Sequence, residues 1–385
     1  MTDRDVAPTP IVPLARLSND GCRQRAARLA ERLRVRGLDA ALLCDPHYVN
    51  YLTGHWRPGR AIFQVAALVE ADGRTTLVVP IAPDDGAFAV AHADETVVYE
   101  SFRASLVTED QPAAIVAALG ARLDRKSRLG MDLPVHRDLL PPAVQQIDDL
   151  RDELLRMRRH KDDDEVRMIA AAIQSGEAAF ARARQLIRPG VDEVDLYGEM
   201  FSAAMRAAGE PITDFGNDFQ FNAFASLPRR RKALPGEALA LDVSVGVRGY
   251  TCDLCRTFVA GDASEDLRDA HHVVVGILQE LEQSIRPGVS CGDLFATYHA
   301  RLEGYRGWKF FHHLGHGVGM WSIERPRINA GSVDAFEPGD VFAIEPALYD
   351  AAVLRMGVRV EDNYVVTGDG VRRLSSFPRD LHCGA

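Results

Sequence analysis

Four carboxylates and one imidazole stand out in the carboxy-terminal part of this chain. Asp242 closes the apolar run Ala238-Leu239-Ala240-Leu241, and Asp253 follows Gly249-Tyr250-Thr251-Cys252. His316 lies inside Gly315-His316-Gly317-Val318-Gly319. Glu345 follows Val341-Phe342-Ala343-Ile344, and Glu361 follows Val358-Arg359-Val360. A carboxylate buried in such surroundings is costly unless an ion pair or a metal neutralises it. The spacing favours a metal. Asp242 and Asp253 bracket Gly246-Val247-Arg248-Gly249. A turn there makes an antiparallel hairpin with both acids on one face. Glu345 and Glu361 flank Tyr349-Asp350-Ala351 in the same way. Two divalent cations and a bridging hydroxide would nearly neutralise such a cluster. Oxygen ligands with one imidazole suit manganese, iron, cobalt or zinc. The plain alternative, five unrelated surface or ion-paired residues, fits any one of them better than all five in this order.

The surrounding text resembles the pita-bread metallohydrolases: prolidase, aminopeptidase P, methionine aminopeptidase and creatinase. The matching segments run from Leu241-Asp242 through Tyr250-Thr251-Cys252-Asp253-Leu254-Cys255-Arg256-Thr257-Phe258. They continue with His312-His313-Leu314-Gly315-His316-Gly317, Ile344-Glu345-Pro346 and Val358-Arg359-Val360-Glu361-Asp362. In the first half, Gly37-Leu38-Asp39-Ala40-Ala41-Leu42-Leu43 and Tyr51-Leu52-Thr53-Gly54 resemble the amino-terminal domain of the prolidase and creatinase branch. The likeness spans about residues 20 to 378. It implies an α/β (α+β) chain: a creatinase-like mixed-sheet domain over 1–155, then a pita-bread domain over 156–385 with a pseudo-twofold αβ duplication. It also implies two divalent metal ions on Asp242, Asp253, His316, Glu345 and Glu361, and a homodimer.

Two departures qualify the likeness. Peptide-cutting members carry two further histidines beside the metals. The first would fall near Phe221-Asn222-Ala223-Phe224-Ala225-Ser226-Leu227-Pro228-Arg229, yet no histidine occurs between His160 and His271. The second would fall seven residues after His316, where Ile323 stands between Ser322 and Glu324. An isoleucine cannot exchange protons. Removing one group that steadies a transition state can cost about 10²- to 10³-fold in rate. The metal set therefore reads as intact and the peptidase set as incomplete. The reading that follows is C–N hydrolysis, by a metal-bridging hydroxide, of a small amino-acid-like or dipeptide-like substrate with non-standard specificity. A non-hydrolytic lyase or rearrangement enzyme on a small carboxylated molecule is one alternative. A catalytically silent binding relative is the other.

Further residues are candidates for the pocket. Glu345 is the expected proton carrier, with His312 and Glu324 as further catalytic groups. Arg229, within Arg229-Arg230-Arg231-Lys232, could clamp a substrate carboxylate or phosphate; a solvated basic loop is the plainer reading. Trp321, Ile323, Tyr250, Phe219 and Phe221 could line the walls, and ordinary core aromatics explain most of them equally well. Arg359, two before Glu361, is expected to orient that carboxylate. Cys252 and Cys255 form a C-x-x-C, but strand alternation puts them on opposite faces, so they read as small filler residues.

The elements that must position these groups follow from punctuation and periodicity. Ser18-Asn19-Asp20 caps a helix over Arg23 to Arg36, stopped by Gly37. Strand-like runs follow at Ala40–Cys44, Ala61–Val69, Thr75–Val79, Thr96–Tyr99 and Leu129–Leu133, with a helix through Ala113, Val116 and Leu119 before the last. The run Arg156-Met157-Arg158-Arg159-His160-Lys161-Asp162-Asp163-Asp164-Glu165 marks the domain boundary and reads as a solvated helix start. It leads a helix through Val166, Ile169, Ala172, Ala179 and Ala183. That helix ends at Ile187-Arg188-Pro189-Gly190-Val191, and another starting near Asp266 ends on the same five residues, Ile285 to Val289. The echo suits a duplicated αβ unit.

The chain has 385 residues, enough for two domains. Its net charge of −10 argues against nucleic acid as a partner. No apolar run is long enough to span a membrane. The start, Met1-Thr2-Asp3-Arg4-Asp5, lacks a signal-peptide pattern. Six scattered cysteines make no disulfide framework. A cytoplasmic enzyme acting on a small molecule or dipeptide is the expectation.

Overall fold

The computed structural model describes residues 14–56, 63–81, 90–103, 106–133, 137–223, 227–350 and 357–384. Helix α1 (Asn19–Arg36) starts where the Ser18 hydroxyl accepts the Gly21 N–H, and stops where Gly37 turns left-handed at φ 65°. Then come β1 (Ala40–Leu43), α2 (Pro46–Thr53), β2 (Ala66–Glu70), β3 (Thr75–Val79) and β4 (Glu95–Val98). A small hairpin, β5 (Phe102–Arg103) and β6 (Leu106–Val107), precedes α3 (Gln111–Leu123), β7 (Arg128–Met131), β8 (Gln146–Asp149) and α4 (Arg151–Arg159). The strand expected from Ala61 begins at Ala66; 61 and 62 lie outside the described residues.

Six of these strands form one sheet in the order β4-β3-β2-β1-β7-β8, with parallel and antiparallel pairs mixed. Alternation along β1 divides its burial. Ala40 and Leu42 join α3 residues Ile115 and Leu119 in one core, while Ala41 and Leu43 join α1 residues Leu29 and Leu33 in another.

The second half repeats one motif. Helix α5 (Asp163–Leu186) ends at Ile187, turns through Gly190 at φ 89°, and is followed by α6 (Glu193–Ala208), capped by Asp192. Strands β9 (Asp214–Asp218), β10 (Glu237–Val247) and β11 (Tyr250–Ala260) follow. Helix α7 (Glu265–Ser284) ends at Ile285, turns through Gly288 at φ 87°, and leads to α8 (Cys291–Glu303), capped by Ser290. The repeated five residues are therefore the same helix-to-helix turn used twice. The remaining strands are β12 (Gly315–Gly317), β13 (Glu324–Ile328), β14 (Val341–Ile344), β15 (Ala347–Tyr349), β16 (Gly357–Arg359), β17 (Asp362–Val366), β18 (Val371–Arg373) and β19 (His382–Gly384). They complete two larger sheets, β19-β11-β10-β9 and β13-β12-β14-β17-β18, while β15 and β16 pair with each other. A bridge between Cys255 and Glu361 joins the two. Among the described residues no helix is long and apolar enough to cross a membrane.

The charged run at the start of α5 is not solvated as expected. Arg158, Lys161, Asp164 and Glu165 are all buried. Arg25 of α1, fully buried, donates to Asp164 at 2.8 Å, to Asp162 at 3.1 Å and to the Tyr51 carbonyl at 2.6 Å. Burial pushes the Asp164 carboxyl up, but bonds from Arg25 and Ser18 outweigh it and hold its pKa below the usual range. Glu165 is pushed up to about 7 by burial, against the pull of Arg25, and it accepts the Tyr250 hydroxyl at 3.1 Å. The run is an ionic joint between α1, α5 and β11. Sequence periodicity could not show this because the counter-ion lies some 140 residues earlier.

Arg25→Ala would leave these acids without their cation and should cost about 3–5 kcal/mol. Arg23→Ala, on the exposed side of the same helix, should change stability by about 0.5 kcal/mol or less. Urea unfolding of the two variants checks this; equal effects would remove the joint from the account of stability.

Candidate metal centre

The hairpin of β10 and β11 turns in two residues, Arg248 and Gly249, both at positive φ (48° and 74°). That is the geometry a tight hairpin needs. Its register opposes Ser244 to Asp253 and Asp242 to Cys255. Asp242 and Asp253 are therefore diagonal neighbours on one face, and Cys252 points to the other. Cys252 meets α5 near Gly176, and all six cysteines are free. Burial keeps the Cys255 thiol well above its ordinary pKa and hence protonated.

The other acids arrive from the second sheet. The Glu345 N–H donates to the Leu314 carbonyl at 3.0 Å, which sets it beside β12 and His316. Glu361 exchanges backbone bonds with Cys255, at 3.0 and 3.4 Å. Arg256 fastens that bridge by donating to the carbonyls of Cys255 and Glu361 at 2.8 and 2.7 Å.

Two groups of ligand atoms result, each within 4.8 Å: Asp253, His316 and Glu361, and His313, His316 and Glu345. His316 gives its Nδ1–H to the Gly317 carbonyl at 3.1 Å. Its Nε2 is left facing Asp253 and Glu345, both at 3.6 Å. Among the described residues neither oxygen of Glu361 has a hydrogen-bond partner, although the residue is buried. Burial pushes Glu361 well above the carboxylate range, and repulsion from Asp253, Glu345 and Asp242 adds to it. Asp253 is raised for the same two reasons. Buried oxygens that repel one another and lack donors are what a divalent cation would satisfy, so the residues present fit the metal that the sequence pattern implies. A third acidic group, Asp162, Asp164 and Glu165, is already spanned by Arg25.

Asp242 belongs to neither group among the described residues. Arg359 Nη2 donates to it at 2.5 Å and to Asp218 at 2.6 Å, and Asn217 Nδ2 donates to its other oxygen at 3.1 Å. Burial raises its pKa to about 6 despite Arg359. Arg359 was expected to steady Glu361; the structure puts it on Asp242 instead. The reason is that β9, which pairs Asp218 with Asp242, brings a second anion to the same guanidinium. Asp218, Asn217 and Asn363 escaped sequence reading. Asn363 clamps the Asp253 backbone through both its amide atoms, at 2.6 and 3.1 Å. Its place two residues after Glu361 was the available signal.

The structure places the other expected residues as follows. Glu345 was expected to carry a proton. Burial works to raise it, but His313, His312 and His316 together hold its pKa down to about 2, so it stays ionised. His312 has both ring nitrogens engaged within the protein, Nδ1 at 2.7 Å from the His313 carbonyl and Nε2 at 3.1 Å from the Tyr349 hydroxyl. Burial lowers it to about 4, so the ring is neutral. Glu324 is a buried ion-pair partner: Lys161 lies at 2.9 Å and the Trp321 N–H at 3.1 Å. Arg229 does not face the site; its side chain donates to Glu193, at 2.8 and 3.1 Å. Glu193 is fully buried at the start of α6 and draws the guanidinium to it. Tyr250, Phe219 and Phe221 are core residues. Trp321 lies on the seam between the two halves, its ring 4.6 Å from His47 and 3.8 Å beneath the Arg158 guanidinium. Ile323 is 46% exposed. The tip of the 221–227 loop, Phe224 to Ser226, lies outside the described residues.

Residues 167–368 match Metallopeptidase family M24, and residues 25–154 match the Creatinase/Prolidase N-terminal domain. The chain belongs to the M24 metallopeptidases, the pita-bread class. It is 26% identical over 368 residues to the Xaa-Pro dipeptidase of Lactobacillus delbrueckii subsp. lactis, covering 92% of this chain and 97% of that protein. It is 28% identical over 232 residues to the uncharacterized peptidase YqhT of Bacillus subtilis (strain 168), covering 59% of this chain and 65% of that protein. Its fold matches the solved Xaa-Pro dipeptidase from Bacillus anthracis with a TM-score of 0.76 and 20% identity, covering 94% of this chain and 99% of the other.

Arg359→Ala would leave Asp218 and Asp242 buried without their shared cation and should cost about 3–5 kcal/mol. Asp218→Asn, which keeps the Arg359–Asp242 pair, should cost less. Thermal unfolding of the metal-free variants measures both; an inverted order would show that Asp218, rather than Asp242, is the anion Arg359 serves.

Proposed function

We propose that this chain is a dinuclear metal-dependent hydrolase of the Xaa-Pro dipeptidase type, acting on a small amino-acid-like or dipeptide-like substrate with non-standard specificity. The observation that carries the reading is Glu361, whose two buried oxygens have no partner amid acids that repel them. Asp242, Asp253, His316, Glu345 and Glu361 would hold two ions of the manganese, iron, cobalt or zinc kind. When bound, such ions supply Lewis acidity toward a substrate carbonyl.

The chain's own residues do the rest. Asn217, Ser244 and Asn363 fix Asp253: Ser244 Oγ donates to it at 2.9 Å, and Asn363 holds its backbone. Arg359 and Asn217 fix Asp242. The Gly317 carbonyl selects the His316 tautomer that leaves Nε2 toward the acids. Arg359 Nη1 donates to the Tyr349 hydroxyl at 3.3 Å, and that hydroxyl in turn donates to His312 Nε2. This chain stiffens the wall behind Glu345. The amino-terminal unit, residues 1–155, would cap the pocket of residues 156–385 and limit substrate length. A homodimer belongs to the same reading, and light scattering of the purified protein measures it.

Non-standard specificity rests on the two places where the sequence offers no imidazole: the 221–229 stretch and Ile323. The deciding experiment measures metal content together with cleavage of Xaa-Pro dipeptides by manganese-, cobalt- and iron-loaded protein. About two ions per chain with weak or absent Xaa-Pro cleavage is the expected result. Efficient cleavage would show that the histidines are dispensable, and absence of bound metal would overturn the reading.

Asp253→Ala should lose bound metal and all turnover, as read by elemental analysis. Full metal content in that variant would remove Asp253 from the ligands. Ile323→His should raise any trace Xaa-Pro cleavage by about 10²-fold; an unchanged rate would mean the pocket differs in more than this one side chain.

A further inference from the structure

Resting on the metal centre proposed above, we propose that His313 is a sixth metal-ligating residue, sharing one ion with His316 and Glu345. Its Nε2 lies 2.7 Å from Glu345 Oε1, the same oxygen that His316 Nε2 faces at 3.6 Å. Glu345 Oε1 is thus flanked by two imidazole nitrogens. Ligands on a common ion with bonds of about 2.1 Å sit roughly 3.0–3.4 Å apart. The observed separations bracket that range, so an ion needs only small side-chain adjustments.

The backbone holds the three groups in this relation. Leu314, between His313 and His316, donates its N–H to the Ile328 carbonyl at 2.8 Å and accepts the Glu345 N–H at 3.0 Å. The two rings stand 5.1 Å apart at 78°, edge to face, so their nitrogens converge rather than stack. The His313 side chain is 35% exposed, against 5% for His316 and 6% for Glu345. It therefore approaches the ion from the solvent side.

A second imidazole makes the two ends of the centre unlike. One end would be held by two nitrogens and a carboxylate; the other would be held by carboxylates alone, because the single lone pair of His316 Nε2 can serve only one ion. Nitrogen donors favour borderline ions such as zinc, cobalt or iron over manganese at that end. His313 also brings an imidazole to the substrate side in a chain that lacks one at position 323.

The test is a cobalt(II) titration of the metal-stripped full chain, read by affinity and by visible absorption. The comparison includes His313→Ala, His313→Gln and His316→Ala. His313→Ala should weaken one site by at least about tenfold and shift the cobalt bands. His313→Gln, whose amide can still donate to Glu345, should not restore either. Full restoration by glutamine would overturn the proposal, since His313 would then only orient Glu345. Unchanged bands in His313→Ala would overturn it as well. If the wild type takes up no cobalt, or His316→Ala binds it as the wild type does, the metal centre itself fails and this inference with it.

Discussion

Repulsion among buried carboxylates is the constraint around which this chain is organised. Five acids, Asp218, Asp242, Asp253, Glu345 and Glu361, converge on the space between two sheets where water cannot screen them. The fold compensates some and leaves others. Arg359 neutralises the Asp218–Asp242 pair from one side. At the start of β17, Asp362 is tied to Arg256, Arg373 and Arg379. Glu361, one residue away from Asp362, receives nothing. Neighbouring acids in sequence thus meet opposite solutions, a guanidinium cage for Asp362 and a cluster of other acids for Glu361. A purely structural acid would be expected to have the first.

The same logic fixes how the two halves of the chain meet. The tip of the β10–β11 hairpin, which carries two of the acids, is seated in the amino-terminal unit. Asn50 donates to the Arg248 carbonyl at 2.9 Å, and Trp56 closes over Gly249 so tightly that a Cβ there would lie 2.7 Å from its ring. Arg25 ties α1 to the start of α5, whose Glu165 holds Tyr250 next to that tip. Lys161 and Glu324 join α5 to the segment that follows His316. The amino-terminal unit therefore braces the hairpin and the His316 loop together, so its position is coupled to the geometry of the metal centre.

The proposed change of specificity turns on where the imidazoles lie. None is available from the 221–229 stretch or from position 323, while three crowd around Glu345. On the proposed function, this placement is what would change the substrate the centre accepts.

Much of the architecture was legible because it rests on local rules. The Ser18 and Gly37 caps, the strand-like runs of β1 and β3, the repeated Ile-Arg-Pro-Gly-Val turn and the hairpin turn at Arg248-Gly249 are all set by residues within a few positions of one another. Asp242, Asp253, Glu345, Glu361 and His316 could be picked out too, because a charged side chain closing an apolar run announces a cost that something must offset. What each side chain touches was decided only by tertiary structure. Arg359 could not be assigned to Asp242 from its spacing to Glu361, because Asp218 arrives on a different strand. Arg229 found Glu193, and Glu324 found Lys161, across separations that carry no periodic signal. Sequence fixes the period, the turn and the charge of each segment. Which opposite charge lies nearest depends on how distant segments pack, and for a buried ion that nearest partner decides whether it is a brace or a ligand.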